Sequence, residues 1–175
     1  MTFWVLDDGP FGSLAKHYNR VWSWPARFLH TVAEVASAAS LDRSGRRNSL
    51  LDMQHSGQPV IEVHSIMAGS KAADFLFEYL RPRAASATKN LGEDAAIAYC
   101  VTERTDACLV TDDKHAAFLA LAELGRGRVA TPFDLWDDLL SRSSVRTSSQ
   151  ACAKQCAKSS ASLGFHSGSG VDRCS

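Results

Sequence analysis

Two short apolar runs each break off at a pair of adjacent carboxylates. Phe3-Trp4-Val5-Leu6 runs into Asp7-Asp8, and Ala107-Cys108-Leu109-Val110-Thr111 runs into Asp112-Asp113. Runs this short are read as strands rather than buried helices, and a strand apolar along its whole length is one covered on both faces. Such strands belong to mostly parallel sheets, where each delivers the residues after it to the edge on which α/β proteins assemble their sites. The sequence therefore raises the question of whether its acids converge.

The segments between these runs alternate in the same sense. A strand is expected from Thr2 to Asp7, Gly9-Pro10 reads as a turn, and Leu14 to Trp22 suits a helix that Trp24-Pro25 breaks. Thr31 stands three residues before Glu34, the spacing of a capping box, which predicts a helix running to about Leu41. Asp42 to Pro59 is polar and reads as an exposed loop with a helical turn near Ser49 to Met53, followed by a strand at Val60 to His64. Helices are predicted over Lys71 to Leu80, about Leu91 to Glu103 with Asn90 and Glu93 at cap spacing, Lys114 to Leu124, and Phe133 to Leu140. A last strand is expected at Val129 to Pro132. This βα alternation predicts a three-layer α/β/α fold with a mostly parallel central sheet, one domain spanning residues 1–142. From about Ser143 to Ser175 the composition turns to Ser, Ala, Lys and Gly with few large apolar residues, and a disordered tail is expected.

Composition excludes several classes of partner. Lys plus Arg and Asp plus Glu both number 19, so no global charge draws the chain to a polyanion, and any nucleic-acid surface must be local. No stretch approaches the roughly 20 apolar residues of a membrane span, so no membrane partner and a cytoplasmic location are expected. The cysteines show no CxxC spacing and no zinc-site pattern with histidine. His17, His30 and His64 are scattered and offer no nucleophile–base arrangement.

In a parallel layer, strand C-termini and the N-termini of the following helices share one edge. Asp7 and Asp112-Asp113 at strand ends, with Glu34 and Glu93-Asp94 at helix starts, are thereby candidates to meet. Carboxylates brought together repel unless they hold cations, and an all-oxygen site selects Mg²⁺ or Mn²⁺. Strand ending and helix capping are the structural alternatives for the same residues.

Taken in order, VLDDGP, TVAEVASA, LGEDAAIAYC, CLVTDDKHAAFLA and VATPFDLWDDLL resemble the PIN-domain family of Mg²⁺- or Mn²⁺-dependent ribonucleases, over about residues 3–141. The family includes the toxins of many bacterial toxin–antitoxin pairs. The resemblance implies Asp7, Glu34, Asp94 and Asp113 as the four catalytic acids, with Asp7, Asp94 and Asp113 as metal ligands and Thr111 supporting them. Asp94 is preferred to Glu93 because it occupies the family's D-A-x-I-A context. Glu34, Glu93 and Asp112 remain alternative ligands, and Asp8 departs from the family's usual Thr, Ser or Ala. Implied with the fold are cleavage of single-stranded RNA by in-line attack of a metal-activated water, a protein antitoxin as partner, and a homodimer. Arg43, Arg46, Arg47 and Lys114 are the candidate RNA contacts, and Trp22 and Trp24 the candidate stacking residues. A non-catalytic PIN-like module that binds RNA or protein is the alternative. An aspartyl-phosphate phosphatase or receiver fits less well, since Gly9 stands where a dehalogenase-type enzyme needs its second acid.

Overall fold

The computed structural model describes residues 3–16, 29–82 and 89–142. The expectations for Trp22, Trp24, the Leu14-to-Trp22 helix beyond Lys16, and the tail from Ser143 lie outside the described residues.

Among the described residues, five strands form one sheet: β1 (Phe3–Leu6), β2 (Leu29–Val32), β5 (Ile61–His64), β6 (Ala107–Val110) and β7 (Val129–Ala130), in the order β5-β2-β1-β6-β7. Every pairing is parallel. The helices are α1 (Asp8–Lys16), α2 (Ala33–Ser37), α3 (Arg46–Leu51), α4 (Lys71–Asp74), α5 (Leu91–Thr102), α6 (Lys114–Leu124) and α7 (Pro132–Arg142), and they flank the sheet in a three-layer α/β/α arrangement. A two-stranded antiparallel ribbon, β3 (Gln54–His55) with β4 (Gln58–Pro59), rises from the segment expected as plain loop. No helix among the described residues is long and apolar enough to cross a membrane.

The expected strands at the two apolar runs are present, each with its central residues fully buried, as parallel strands between helical layers must be. Helix α5 is buried continuously from Ala95 to Cys100, so it is an interior helix, not an amphipathic one. The Arg128 guanidinium holds its C-terminal end by donating to the carbonyls of Cys100 (2.6 Å) and Arg104 (3.0 Å), and it also reaches Ala107 (3.1 Å).

Three expectations are corrected. Gly9-Pro10 is no turn: both residues lie in the first turn of α1, where a missing proline N–H costs nothing. Thr31 does not open a helix. It lies within β2, and its hydroxyl donates to the Leu6 carbonyl of β1 (2.9 Å). The capping box with Glu34 is therefore absent, and α2 begins at Ala33 with no side-chain cap. Lys71 to Leu80 is not one regular helix either, since α4 passes at Phe75–Leu80 into π-helical geometry.

Candidate metal centres

Asp7 follows the last residue of β1 and is 2 % exposed. Its Oδ1 accepts from the Asp8 N–H (2.6 Å) and its Oδ2 from the Thr111 hydroxyl (2.7 Å). Thr111 in turn accepts from the Asp113 N–H (3.1 Å), so one hydroxyl ties the ends of the two central strands together. Those bonds favour the charged carboxylate, yet burial outweighs them and raises Asp7 to about 6.

Asp7 opens onto a cleft of about 530 Å³ whose lining includes Asp8, Glu34, Asn90, Gly92 and Glu93. The approach of α2 to α5 forms this cleft. A Cβ on Gly92 would stand 2.9 Å from Val35 Cγ2, so a residue without one lets the first turn of α5 lie against α2 and sets Glu34 and Glu93 on the same cleft. Neither acid acts as a cap. Asn90 precedes α5 in the left-handed region (φ 58°) with no side-chain capping bond, and Glu34 Oε2 is buried without a hydrogen-bond partner among the described residues. Glu93 is raised to about 7 by burial, and further by the charges of Asp7, Asp113, Asp94 and Asp8.

The remaining acids are disposed differently. Asp94, expected as the third acid, does not line the cleft. Its carboxylate is ion-paired to the Arg81 guanidinium, with both side chains largely buried (14 % and 6 % exposed), and Glu93 takes the cleft position. Asp113 is exposed and caps α6, accepting from the Ala116 N–H (2.9 Å), while remaining close enough for its charge to raise Glu93. Asp112 is raised chiefly by burial and lines a second cleft with Gly9, Lys16, Arg46 and Arg47. A Cβ on Gly9 would overlap Asp112 Oδ1 at 1.8 Å, so glycine is what allows that carboxylate against α1.

Of the candidate RNA contacts, Arg43, Arg46 and Lys114 are exposed. Arg47 is committed elsewhere: its guanidinium pairs with Asp8 and lies over the Phe11 ring, 5.6 Å from the centroid. Asp8 is thereby balanced by a cation, whereas Asp7, Glu34 and Glu93 have none paired with them among the described residues.

The two raised carboxyls set a pH dependence. A carboxyl whose pKa is higher folded than unfolded adds stability that is complete below its unfolded value and is lost as pH rises through its folded value. For Asp7 and Glu93 that loss runs from about pH 4 to above pH 7. In EDTA the protein is expected to melt at a higher temperature at pH 5 than at pH 7.5, by calorimetry or circular dichroism. Half-buried His64, whose lowered pKa costs stability as pH falls, opposes this trend, so an equal or lower value at pH 5 in a His64→Gln background would show that the two carboxyls are not held apart from their usual range.

A second cluster escaped sequence reasoning. His30 of β2 and Glu62 and His64 of β5 offer ligand atoms all within 4.8 Å of one another, a group able to hold a metal ion. Register explains the convergence: His30 pairs with Glu62 and Val32 with His64, so alternate residues of two neighbouring strands project from one face. Burial lowers the His64 pKa, with Arg104 acting in the same direction and Glu62 opposing. Its sequence signal was the period-two pair Glu62-x-His64, which has meaning only once β2 is recognised as a strand.

No protein-family model, no curated protein and no solved structure matches this chain.

Proposed function

We propose that the chain is a divalent-metal-dependent ribonuclease acting on single-stranded RNA. The observation that carries this reading is the convergence of Asp7, Glu34 and Glu93 on one cleft at the C-terminal edge of the parallel sheet, with Glu34 Oε2 buried and unpartnered among the described residues. Buried carboxylates without cationic partners are costly unless a cation joins them, and oxygen donors alone suit Mg²⁺ or Mn²⁺. Asp7, Glu34 and Glu93 would hold the ion, with Asp113 at the neighbouring strand end. The bound ion supplies Lewis-acid activation of water and stabilises the leaving oxygen of the phosphodiester.

The chain's own part is positioning. Thr111 orients the Asp7 carboxylate, and Arg81 neutralises Asp94, leaving Glu93 as the acid that α5 presents. Exposed Arg43, Arg46 and Lys114 supply backbone contacts to RNA, which set register without reading sequence. More narrowly, we propose that the chain is a toxin restrained by a protein antitoxin.

Full-length protein is expected to cleave a single-stranded RNA with Mg²⁺ or Mn²⁺, to stop in EDTA and to recover on adding the metal back. Binding of RNA without cleavage under any divalent ion would instead identify a non-catalytic module. Cleavage that persists in EDTA would overturn the metal-dependent reading.

A further inference from the structure

We propose that His30, Glu62 and His64 form a second metal site, separate from the acidic cleft and selective for a borderline divalent ion of the Zn²⁺ class. Its donors differ in kind from those of the cleft. Two imidazole nitrogens and one carboxylate oxygen favour zinc over Mg²⁺, which prefers oxygen alone. None of the three residues lines the cleft.

The distances fit a shared ion. His30 Nδ1 lies 2.9 Å from His64 Nε2 and 3.7 Å from Glu62 Oε2. Nitrogen and oxygen donors bound tetrahedrally at about 2.1 Å stand roughly 3.4 Å apart, between those two separations. A shift of a few tenths of an ångström therefore converts the His–His contact into a pair of metal ligands.

The imidazoles are also held in place. The His64 ring stacks on Tyr99 of α5 with centroids 4.7 Å apart and planes 21° apart, and the His30 ring packs on Phe3 of β1 at 5.6 Å. Phe3 is in turn covered by the Arg104 guanidinium, 3.6 Å from its centroid. Rings fixed by packing lose little entropy on coordination, which is what a preorganised site requires.

Glu62 lies on the edge strand with its side chain 53 % exposed, so it can close onto an ion from the solvent side and leave a fourth position for water. An ion there ties β5 to β2, adding a bond where, among the described residues, the strand has a neighbour on one side only.

The test uses the full-length chain, freed of any affinity tag, stripped with EDTA and exchanged into chelator-free buffer. Zn²⁺ is titrated in competition with a chromophoric chelator, and Co²⁺ is added separately to read its visible ligand-field bands. The expected result is one Zn²⁺ that survives Asp7→Asn and whose affinity falls at least about tenfold in both Glu62→Gln and His64→Gln. The bands of four-coordinate Co²⁺ should be lost in the same two variants. Glu62 is exposed, so Glu62→Gln reports on the site even if a histidine variant folds poorly. Zinc binding that is absent, or unchanged in Glu62→Gln, or lost with Asp7→Asn, would overturn the proposal.

Discussion

Asp7→Asn is expected to lower the rate of RNA cleavage by about two to three orders of magnitude, the scale of losing one preorganised electrostatic contact, while leaving the metal-free protein as stable as the parent or more so. The two halves of this result have one cause. Asp7 is 2 % exposed and raised to about 6, so at neutral pH the fold carries an ionised carboxylate that its surroundings disfavour. A shift of this size corresponds to a penalty on the order of 3 kcal/mol, which a neutral amide does not incur. Asparagine can keep the local geometry: its carbonyl accepts from the Asp8 N–H, and the Thr111 hydroxyl can rotate to accept from the amide. In the parent, Mg²⁺ at one hundred times its dissociation constant should add about 2.7 kcal/mol, and this gain should shrink in the variant. Thermal melts with and without metal, run beside the cleavage assay, make the check. A variant that loses stability without metal yet keeps its full response to Mg²⁺ would mark Asp7 as an ordinary strand-end residue.

The second large effect separates the adjacent acids of α5. Glu93→Gln should abolish most cleavage with little loss of stability at neutral pH, because Glu93 faces the cleft and is raised to about 7 by burial and by neighbouring acids. Asp94→Ala should instead cost about 3 kcal/mol, roughly 10 °C in melting temperature, since it removes the carboxylate paired with a guanidinium that is only 6 % exposed. Whatever activity Asp94→Ala loses should track its unfolding and return on cooling. The reverse pattern, with Asp94 silent in melts and decisive in catalysis, would support the assignment implied by the PIN-domain resemblance. Measuring both variants matters because the sequence context points to Asp94 while the cleft is lined by Glu93.

Strand β2 shows why part of the fold was illegible. Leu29-His30-Thr31-Val32 has two polar residues among four, and Thr31 with Glu34 mimics a helix start, so local pattern favoured the wrong element. In the sheet, all four residues are buried, and the Thr31 hydroxyl is satisfied by the Leu6 carbonyl of the neighbouring strand. A polar residue is tolerated in a parallel core when a distant carbonyl accepts from it, and no local window contains that carbonyl. The histidine–glutamate cluster was missed for the same reason, because it exists only through the register of β2 against β5.

By itself the sequence determined that buried strands alternate with helices and end on acids, because the length and spacing of apolar runs report directly which segments lose water on both faces. That was enough for a three-layer α/β/α fold with a parallel sheet, and for Asp7 and the Glu93-Asp94 pair to be candidates for one edge, whereas Glu34 reaches that edge at the end of β2, a strand its local pattern did not reveal. Tertiary structure alone decided which carboxylate of the Asp7-Asp8 and Glu93-Asp94 doublets remained without a cation among the described residues. Arg47 takes Asp8 from 39 residues away and Arg81 takes Asp94 from 13, while Asp7 and Glu93 are left to the cleft. Charge compensation between distant residues depends on separation in space and on local burial, and the chain acquires both only when the layers pack.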